Sequence, residues 1–394
     1  MKLALVTETF PPEVNGVAMT LQRLVDGLLE RAHAVEIVRP RLTPAGAVAA
    51  SGNPRQVLVP SVPLPFYRDL RLGLPVGRRL RRQWTAHRPD VVHIATEGPL
   101  GWSALFAARR LGLPVSTSFH TNFHQYLQRY LFRAISGATL GYLRSFHNRA
   151  ACTLVPTEQT ASELAALGFE RTGVLARGVD ARLFTPARRS EALRAQWGVA
   201  AGEPVFVYVG RLAVEKNVGL AVATFLRIQQ LEPLAHLVLV GDGPARKALE
   251  AAHPQFHFAG MRHGEDLAAH YASADVFLFP STTETFGNVV TEALASGLVV
   301  VSFDYAAGRQ HIAAGRNGLL VPFGQSEAFQ QAGEAVIRHR AGWPALRAAA
   351  RATAETITWA RVIDAFEASL QRVIAGRSPP GEADGRAPTR PLSR

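Results

Sequence analysis

One cysteine, Cys152, stands among 394 residues. No internal disulfide can staple such a chain, and a lone thiol suits a reducing compartment. Lysine is almost as scarce: Lys2, Lys216 and Lys247 are the only three, against 40 arginines, a bias better explained by genome composition than by function. No stretch approaches the roughly 18 consecutive apolar residues that a membrane-spanning helix requires. The apolar start MKLALVT is ended by Glu8 and the pair Pro11-Pro12, too early for a secretory signal. The loop after the first strand carries no GxGxxG, which disfavours a dinucleotide enzyme. These absences exclude a disulfide scaffold and a spanning protein, and they point to a cytoplasmic globular chain.

What is present is a chain 47% hydrophobic and 19% charged, long enough for two domains with separate cores. Its net charge of +12 is unevenly placed: residues 1–190 hold 24 Lys+Arg against 12 Asp+Glu, whereas residues 191–394 hold 19 of each. The first half therefore suits an anionic partner.

Hydrophobic periodicity divides the chain into two strand-then-helix runs. KLALVTETF reads as a buried strand, followed by the loop PPEVNG and the amphipathic stretch VAMTLQRLVDGLLERA. HAVEIVRP, DVVHIAT (90–96) and PVSTSFH (114–120) read as further strands. The pattern restarts at PVFVYVG (204–210) and continues through HLVLVGDGP, HFAGM, DVFLFPS, LVVVSFD and GLLVPF. Alternation of this kind implies parallel sheets covered on both faces. Strand character is lost near 185–203, so the domains are expected at 1–190 and 200–357. A C-terminal helix is expected over 358–376, and a disordered tail over 377–394. In open sheets of this class ligands bind beyond the C-terminal strand ends, which directs attention to the loops that follow strands.

Four such loops carry candidate chemistry. Gly16 stands at a helix N-terminus, where bare N–H groups favour an anion; the alternative is a tight turn with Asn15 as N-cap. GRLAVEKN (210–217) presents Arg211 and Lys216, two cations suited to phosphate oxygens; the alternative is a solvated loop paired with Glu215. GDGP (241–244) suggests a turn whose glycines let backbone approach a ligand. The fourth, ETFGNVVTE (284–292), sets two glutamates eight residues apart, about 80° around a helix, so one helix face does not explain them. With TTETF as loop and GNVVTEALASG as a helix of about three turns, Glu284 precedes the helix and Glu292 lies on its second turn. The N–H groups from Phe286 through Gly287, Asn288 and Val289 to Val290 can then receive a diphosphate, with Arg211 and Lys216 as countercharge. A carboxylate beside phosphates needs hydroxyl donors, and sugar hydroxyls supply them. The layout suggests a nucleotide-diphosphate sugar, one glutamate on the hexose and the other on the ribose.

Taken together, GRLAVEKN, VGDGP, HYASADVFLFPSTTETFGNVVTEALASGLVVV and the early TETFPPEVNG resemble family 4 retaining glycosyltransferases of the GT-B fold, over nearly the whole chain to about residue 374. The resemblance implies an α/β architecture of two doubly wound Rossmann-like domains facing across a cleft, the last helix crossing back to the first domain. It places Glu284 on the donor hexose, Glu292 on the ribose, Arg211 and Lys216 on the diphosphate, and the Gly16 backbone against it. His120 best matches the family's histidine near the reaction centre, with His124 as rival. The implied chemistry is front-face transfer with retention, without a carboxylate nucleophile. No Asp-x-Asp occurs, so the metal motif of the other major glycosyltransferase fold is missing; neither metal nor cofactor beyond the sugar nucleotide is expected.

TETFPPEVNGV and HIATEGPLGW resemble most closely the lipid-directed mannosyl- and sulfoquinovosyl-transferase-like members. The segments 64–84 and 124–149 mix arginines with large apolar residues, consistent with an anionic membrane surface or with ordinary helices whose apolar stripe faces the core. A lipid acceptor, GDP-mannose ahead of a UDP-hexose, and a peripheral position on the inner face of the cell membrane are expected. No nucleic-acid module is recognisable. Rival readings are a UDP-sugar enzyme acting on a polysaccharide or lipopolysaccharide, a sugar-nucleotide epimerase of the same fold, and a catalytically idle binding protein.

Overall fold

The computed structural model describes residues 1–13, 15–42, 54–64, 67–120 and 133–376. They form two compact units: Met1–Ala176 together with the chain from Val362, and Arg177–Arg361.

In the first unit, strands β1 (Lys2–Val6), β2 (Ala34–Pro40), β3 (Arg55–Val59), β6 (Val91–Ile94), β7 (Val115–Ser118), β8 (Cys152–Val155) and β9 (Thr172–Val174) build one sheet, and β4 (Ser61–Leu64) pairs antiparallel with β5 (Tyr67–Gly73). The sheet order is β3-β2-β1-β6-β7-β8-β9, with every pairing parallel. Strand order reverses at β1, whose neighbours β2 and β6 lie on opposite sides, so the switch point lies between β1 and β6. β6 is buried at every position, as a central parallel strand covered on both faces must be. The helix Gly16–Glu30 begins at Asn15, whose Oδ1 accepts from the Val17 and Ala18 amides.

The last helix, Trp359–Ile374, contributes its residues from Val362 to this unit. Arg31 bonds Glu367 at 2.9 Å and Asp364 at 2.5 Å, while Phe366 packs edge-on against His93 at 5.0 Å.

In the second unit, β10 (Val205–Val209), β11 (His236–Val240), β12 (His257–Gly260), β13 (Val276–Phe279), β14 (Val299–Phe303) and β15 (Leu319–Val321) are all parallel, in the order β12-β11-β10-β13-β14-β15. The switch point here lies between β10 and β13, two strands buried along their whole length.

The strands expected from long apolar runs are present, but β3, β4, β5, β8 and β9 were not among them. Tyr67–Gly73 is a hairpin strand rather than a helix, whereas Gly77–Ala86 is a helix that buries Leu80 and Trp84. The units divide at Ala176/Arg177, ahead of the 185–203 stretch, because that stretch is bonded into the second unit: Arg194 donates to Ser273 O at 2.8 Å, and Arg188 meets Glu265 at 2.8 Å. The tail 377–394 lies outside the described residues.

Below β10 and β13, opposite their C-terminal ends, Asp275 gathers three guanidinium groups. Arg189 approaches at 3.1 Å, Arg194 at 3.3 Å and Arg347 at 3.3 Å, and the Val205 amide donates at 2.9 Å. Asp275 and Arg194 are both buried, so removing the carboxylate strands desolvated cations. Asp275→Ala is therefore expected to lower the stability of the second unit by about 3 kcal/mol or more, measured by chemical denaturation.

Candidate functional site

The loops leaving β10 and β13 meet at the second unit's switch point, and side-chain bonds stitch them together. Lys216 Nζ donates to Thr283 O and to Glu284 Oε1, both at 2.6 Å. Thr283 Oγ1 returns a bond to Glu215 O at 2.8 Å, and Asn217 Nδ2 reaches Pro280 O at 3.2 Å. Ser281 Oγ also donates to Glu284 Oε1 at 2.7 Å, while the Tyr305 hydroxyl holds the Glu284 carbonyl at 2.9 Å. Glu284 is thus clamped in the loop ahead of the helix, where the sequence placed it.

Lys216 was expected to face phosphate; it is bonded first to the carboxylate expected to face sugar. Two of its three donors are engaged there, which orients the ammonium across the switch point. Arg211 differs. Its side chain is 63% exposed and meets Glu215 at 3.2 Å, a surface pair that costs little to break. The alternative of a solvated loop paired with Glu215 describes Arg211 as it stands, and leaves its guanidinium ready for a better anion.

The helix Asn288–Ala295 spans about two turns rather than three, and starts from Gly287 at φ 92°. That left-handed conformation favours glycine, since any Cβ there is strained. Among the described residues, the N–H groups of Phe286, Gly287, Asn288 and Val289 find no acceptor. Val290 corrects the expectation: its amide donates to Gly287 O at 3.0 Å and is spent. The Phe286 ring is buried against His311, so its contribution to the site is backbone alone. Glu292 lies on the second turn as expected, half-buried, and accepts from the Tyr271 hydroxyl at 3.0 Å. Burial raises its pKa to about 7, opposed by the Tyr271 bond.

The GDGP glycines have a contact within the fold that residue order did not show. A Cβ on Gly241 would meet Gly210 O at 2.0 Å, and one on Gly243 would meet Leu212 O at 2.4 Å. These glycines admit the neighbouring loop 210–212, to which Leu212 N→Asp242 O and Ala245 N→Leu212 O bind them. They shape the cationic loop.

In the first unit, Gly16 opens the helix after β1. Asn15 takes the Val17 and Ala18 amides, as the alternative reading had it, and the Gly16 amide has no acceptor among the described residues. His120 follows β7, and its Nε2 lies 2.8 Å from Ser118 Oγ. Ser118 Oγ also meets Nε2 of His93 at 3.0 Å, whose Nδ1 meets Ser116 Oγ at 2.8 Å. His93 is fully buried, and desolvation lowers its pKa to about 3, so it stays neutral. This line of side chains behind His120 was missed, although polar residues at 116, 118 and 120 in an otherwise buried strand were a signal for it. His124 lies outside the described residues. Arg177, a buried cation under the electrostatic influence of Glu284, was also missed. Among the described residues no group of three or more His, Cys, Asp or Glu could hold a metal ion.

Residues 14–183 match the family model described as Glycosyltransferase Family 4, and residues 203–339 match Glycosyl transferases group 1. The chain is 38% identical over 334 residues to a GDP-mannose-dependent alpha-mannosyltransferase of Mycobacterium tuberculosis, covering 83% of this chain and 85% of that one. It is 36% identical to the Mycolicibacterium smegmatis protein of the same name, covering 96% and 99%. It is 28% identical to an alpha-monoglucosyldiacylglycerol synthase of Streptococcus pneumoniae, covering 77% and 71%. Among solved structures, sucrose-phosphate synthase of Thermosynechococcus elongatus superposes with a TM-score of 0.74 at 18% identity, covering 95% and 99%. Anabaena HepE with UDP gives 0.72 at 20%, covering 94% and 100%. The last two show the fold alone.

Because Glu292 binds its proton more tightly folded than unfolded, its contribution to stability is present below the ordinary carboxylate range and is lost as pH rises towards about 7. Glu292→Gln is expected to flatten the fall in thermal midpoint between pH 5 and pH 8 relative to the wild-type chain, as followed by calorimetry.

Proposed function

The chain belongs to the family 4 glycosyltransferases of the GT-B fold, and from that premise we propose that it moves a mannosyl group from GDP-mannose to a lipid acceptor, with retention at the anomeric carbon. The observation that carries the donor is the similarity, over most of both chains, to two GDP-mannose-dependent alpha-mannosyltransferases. The diacylglycerol named in a third relative supports a lipid acceptor.

In this reading the unpartnered amides of 286–289 receive the diphosphate, and Arg211 leaves Glu215 to join Lys216 beside it. Glu284 accepts from hexose hydroxyls, and Glu292 from the ribose. The Gly16 amide adds a bond to the diphosphate, and His120 stands by the reaction centre. The acceptor oxygen bonds to the anomeric carbon as the carbon–phosphate oxygen bond breaks on the same face, and the departing β-phosphate takes the acceptor proton. Fixed cations and amides stabilise the charge that grows on that phosphate, so catalysis rests on positioning and electrostatics. With the diphosphate charge offset by Arg211, Lys216 and the helix N-terminus, no divalent metal is required.

The test is mannosyl transfer to a lipid extract in buffer containing EDTA, with UDP-glucose and GDP-mannose compared as donors. Transfer from GDP-mannose is expected, and Glu284→Ala should lower the rate roughly tenfold to a hundredfold. Release of free nucleotide independent of acceptor, or an unchanged rate in the variant, would remove the reading.

Membrane association is proposed as peripheral. Among the described residues no helix is long and apolar enough to cross a membrane. Helix Gly77–Ala86 turns Leu80 and Trp84 to the core and leaves Arg78, Arg79 and Arg82 exposed, which suits electrostatic contact rather than insertion. Phe106 and Tyr142, 51% and 42% exposed on either side of Trp102, add an aromatic patch beside exposed Arg109 and Arg110. Co-sedimentation with anionic vesicles is expected at low salt and should weaken as salt is added.

A further inference from the structure

Arg177 opens the second unit in the stretch ARGVD, directly after the division between units. Its backbone is pinned on the C-terminal side: the Val179 amide donates to Ile357 O at 2.8 Å, and a Cβ on Gly178 would meet Trp359 N at 2.6 Å. A fixed backbone gives the long side chain a defined origin.

That side chain is only 7% exposed, yet among the described residues it makes no hydrogen bond and no ion pair. The contrast is Arg194, the other arginine in this burial class, whose guanidinium is bonded to Ser273 O, Glu203 O and Asp275. Burial draws the Arg177 pKa down to about 10, opposed by the charge of Glu284, so the group is still cationic at neutral pH. Glu284 does not neutralise it by contact: among the described residues no ion pair joins the two, and the ion pair that Glu284 makes there is with Lys216. Nor are the guanidinium nitrogens sealed: none is among the fully covered polar atoms that lack a partner. A buried charge with no partner is costly, and a fold that keeps one beside a binding loop keeps it for an anion that arrives from outside.

We propose that Arg177 is a donor-binding residue that contacts the β-phosphate of the nucleoside diphosphate at the hexose end. The assignment rests on the nucleotide-sugar reading, in which Glu284 holds the hexose; the phosphate next to the hexose is the β-phosphate. Arg177 would then be the third cation of the site, and the one most shielded before the ligand binds, so that its contact displaces less water than an exposed side chain would lose. Its charge would strengthen the hold on the phosphate oxygen where negative charge accumulates as the glycosidic bond breaks.

The test uses the full chain and the variants Arg177→Met and Arg177→Lys, with GDP, UDP and GMP as probes in calorimetry and the thermal midpoint without ligand as a second readout. For Arg177→Met, GDP affinity is expected to fall about thirtyfold or more, GMP affinity to stay within about twofold of the wild-type value, and the unliganded midpoint to hold or rise, since a buried unpaired charge is gone. Arg177→Lys should bind GDP with intermediate affinity, and it carries the comparison if the methionine variant fails to fold. Unchanged GDP affinity, equal weakening of GDP and GMP, or a lowered midpoint with affinity retained would each overturn the assignment while leaving the nucleotide-sugar reading in place. A wild-type chain that binds neither GDP nor UDP would overturn both.

Discussion

The ion pair between Lys216 and Glu284 is the contact on which the second unit's site depends. It joins the loop after β10 to the loop after β13 across the place where strand order reverses. Both side chains are mostly shielded from water, so the pair is screened less than a surface pair and holds its geometry. Ser281, Thr283 and Asn217 add neutral bonds between or within the same loops. The consequence is positional. The Lys216 ammonium and the Glu284 carboxylate are fixed ahead of the helix Asn288–Ala295, whose first amides have no partner among the described residues.

Charge is used in two different ways at the two ends of β10 and β13. At the N-terminal end, Asp275 is saturated by three arginines and a backbone amide, and the cluster is complete within the fold. At the C-terminal end Arg211 is tied only by an exposed pair, and Arg177, on which the charge of Glu284 acts, has no ion pair among the described residues. The same side chain serves stability where its partners are built in, and keeps its charge available where they are left out.

The first unit shows a related economy. His93 sits between Ser116 and Ser118 with its ring covered by Phe366, and Ser118 in turn meets His120. A hydroxyl carries one proton, so Ser118 cannot donate to both rings at once; the protonation of one imidazole constrains the tautomer of the other. The arginines of helix Gly77–Ala86 point away from a core that Leu80 and Trp84 complete, so the basic character of this half resides on its surface rather than in its packing.

Strands buried on both faces leave continuous apolar runs, and that is why β1, β2, β6, β7 and β10 to β15 could be read directly from residue order, as could the placement of Glu284 in a loop and Glu292 on a helix. The three-residue edge strand β9 and the hairpin β4-β5 with its prolines and arginines lack such runs, because a few residues at an edge or in a ribbon need no long hydrophobic stretch, whereas β8 is interior and buried but carries only the short sequence CTLV. The roles of Gly241 and Gly243 depended on which loop lies against them, and the loss of the Val290 amide on how tightly the helix starts. The pairing of Lys216 with Glu284 joined residues 68 positions apart, and the lack of a partner for Arg177 among the described residues could not be read from its neighbours in the chain. Residue order determined periodicity and loop chemistry, which are local; which charge meets which, and which meets none, was decided only when distant loops were brought to one end of a sheet.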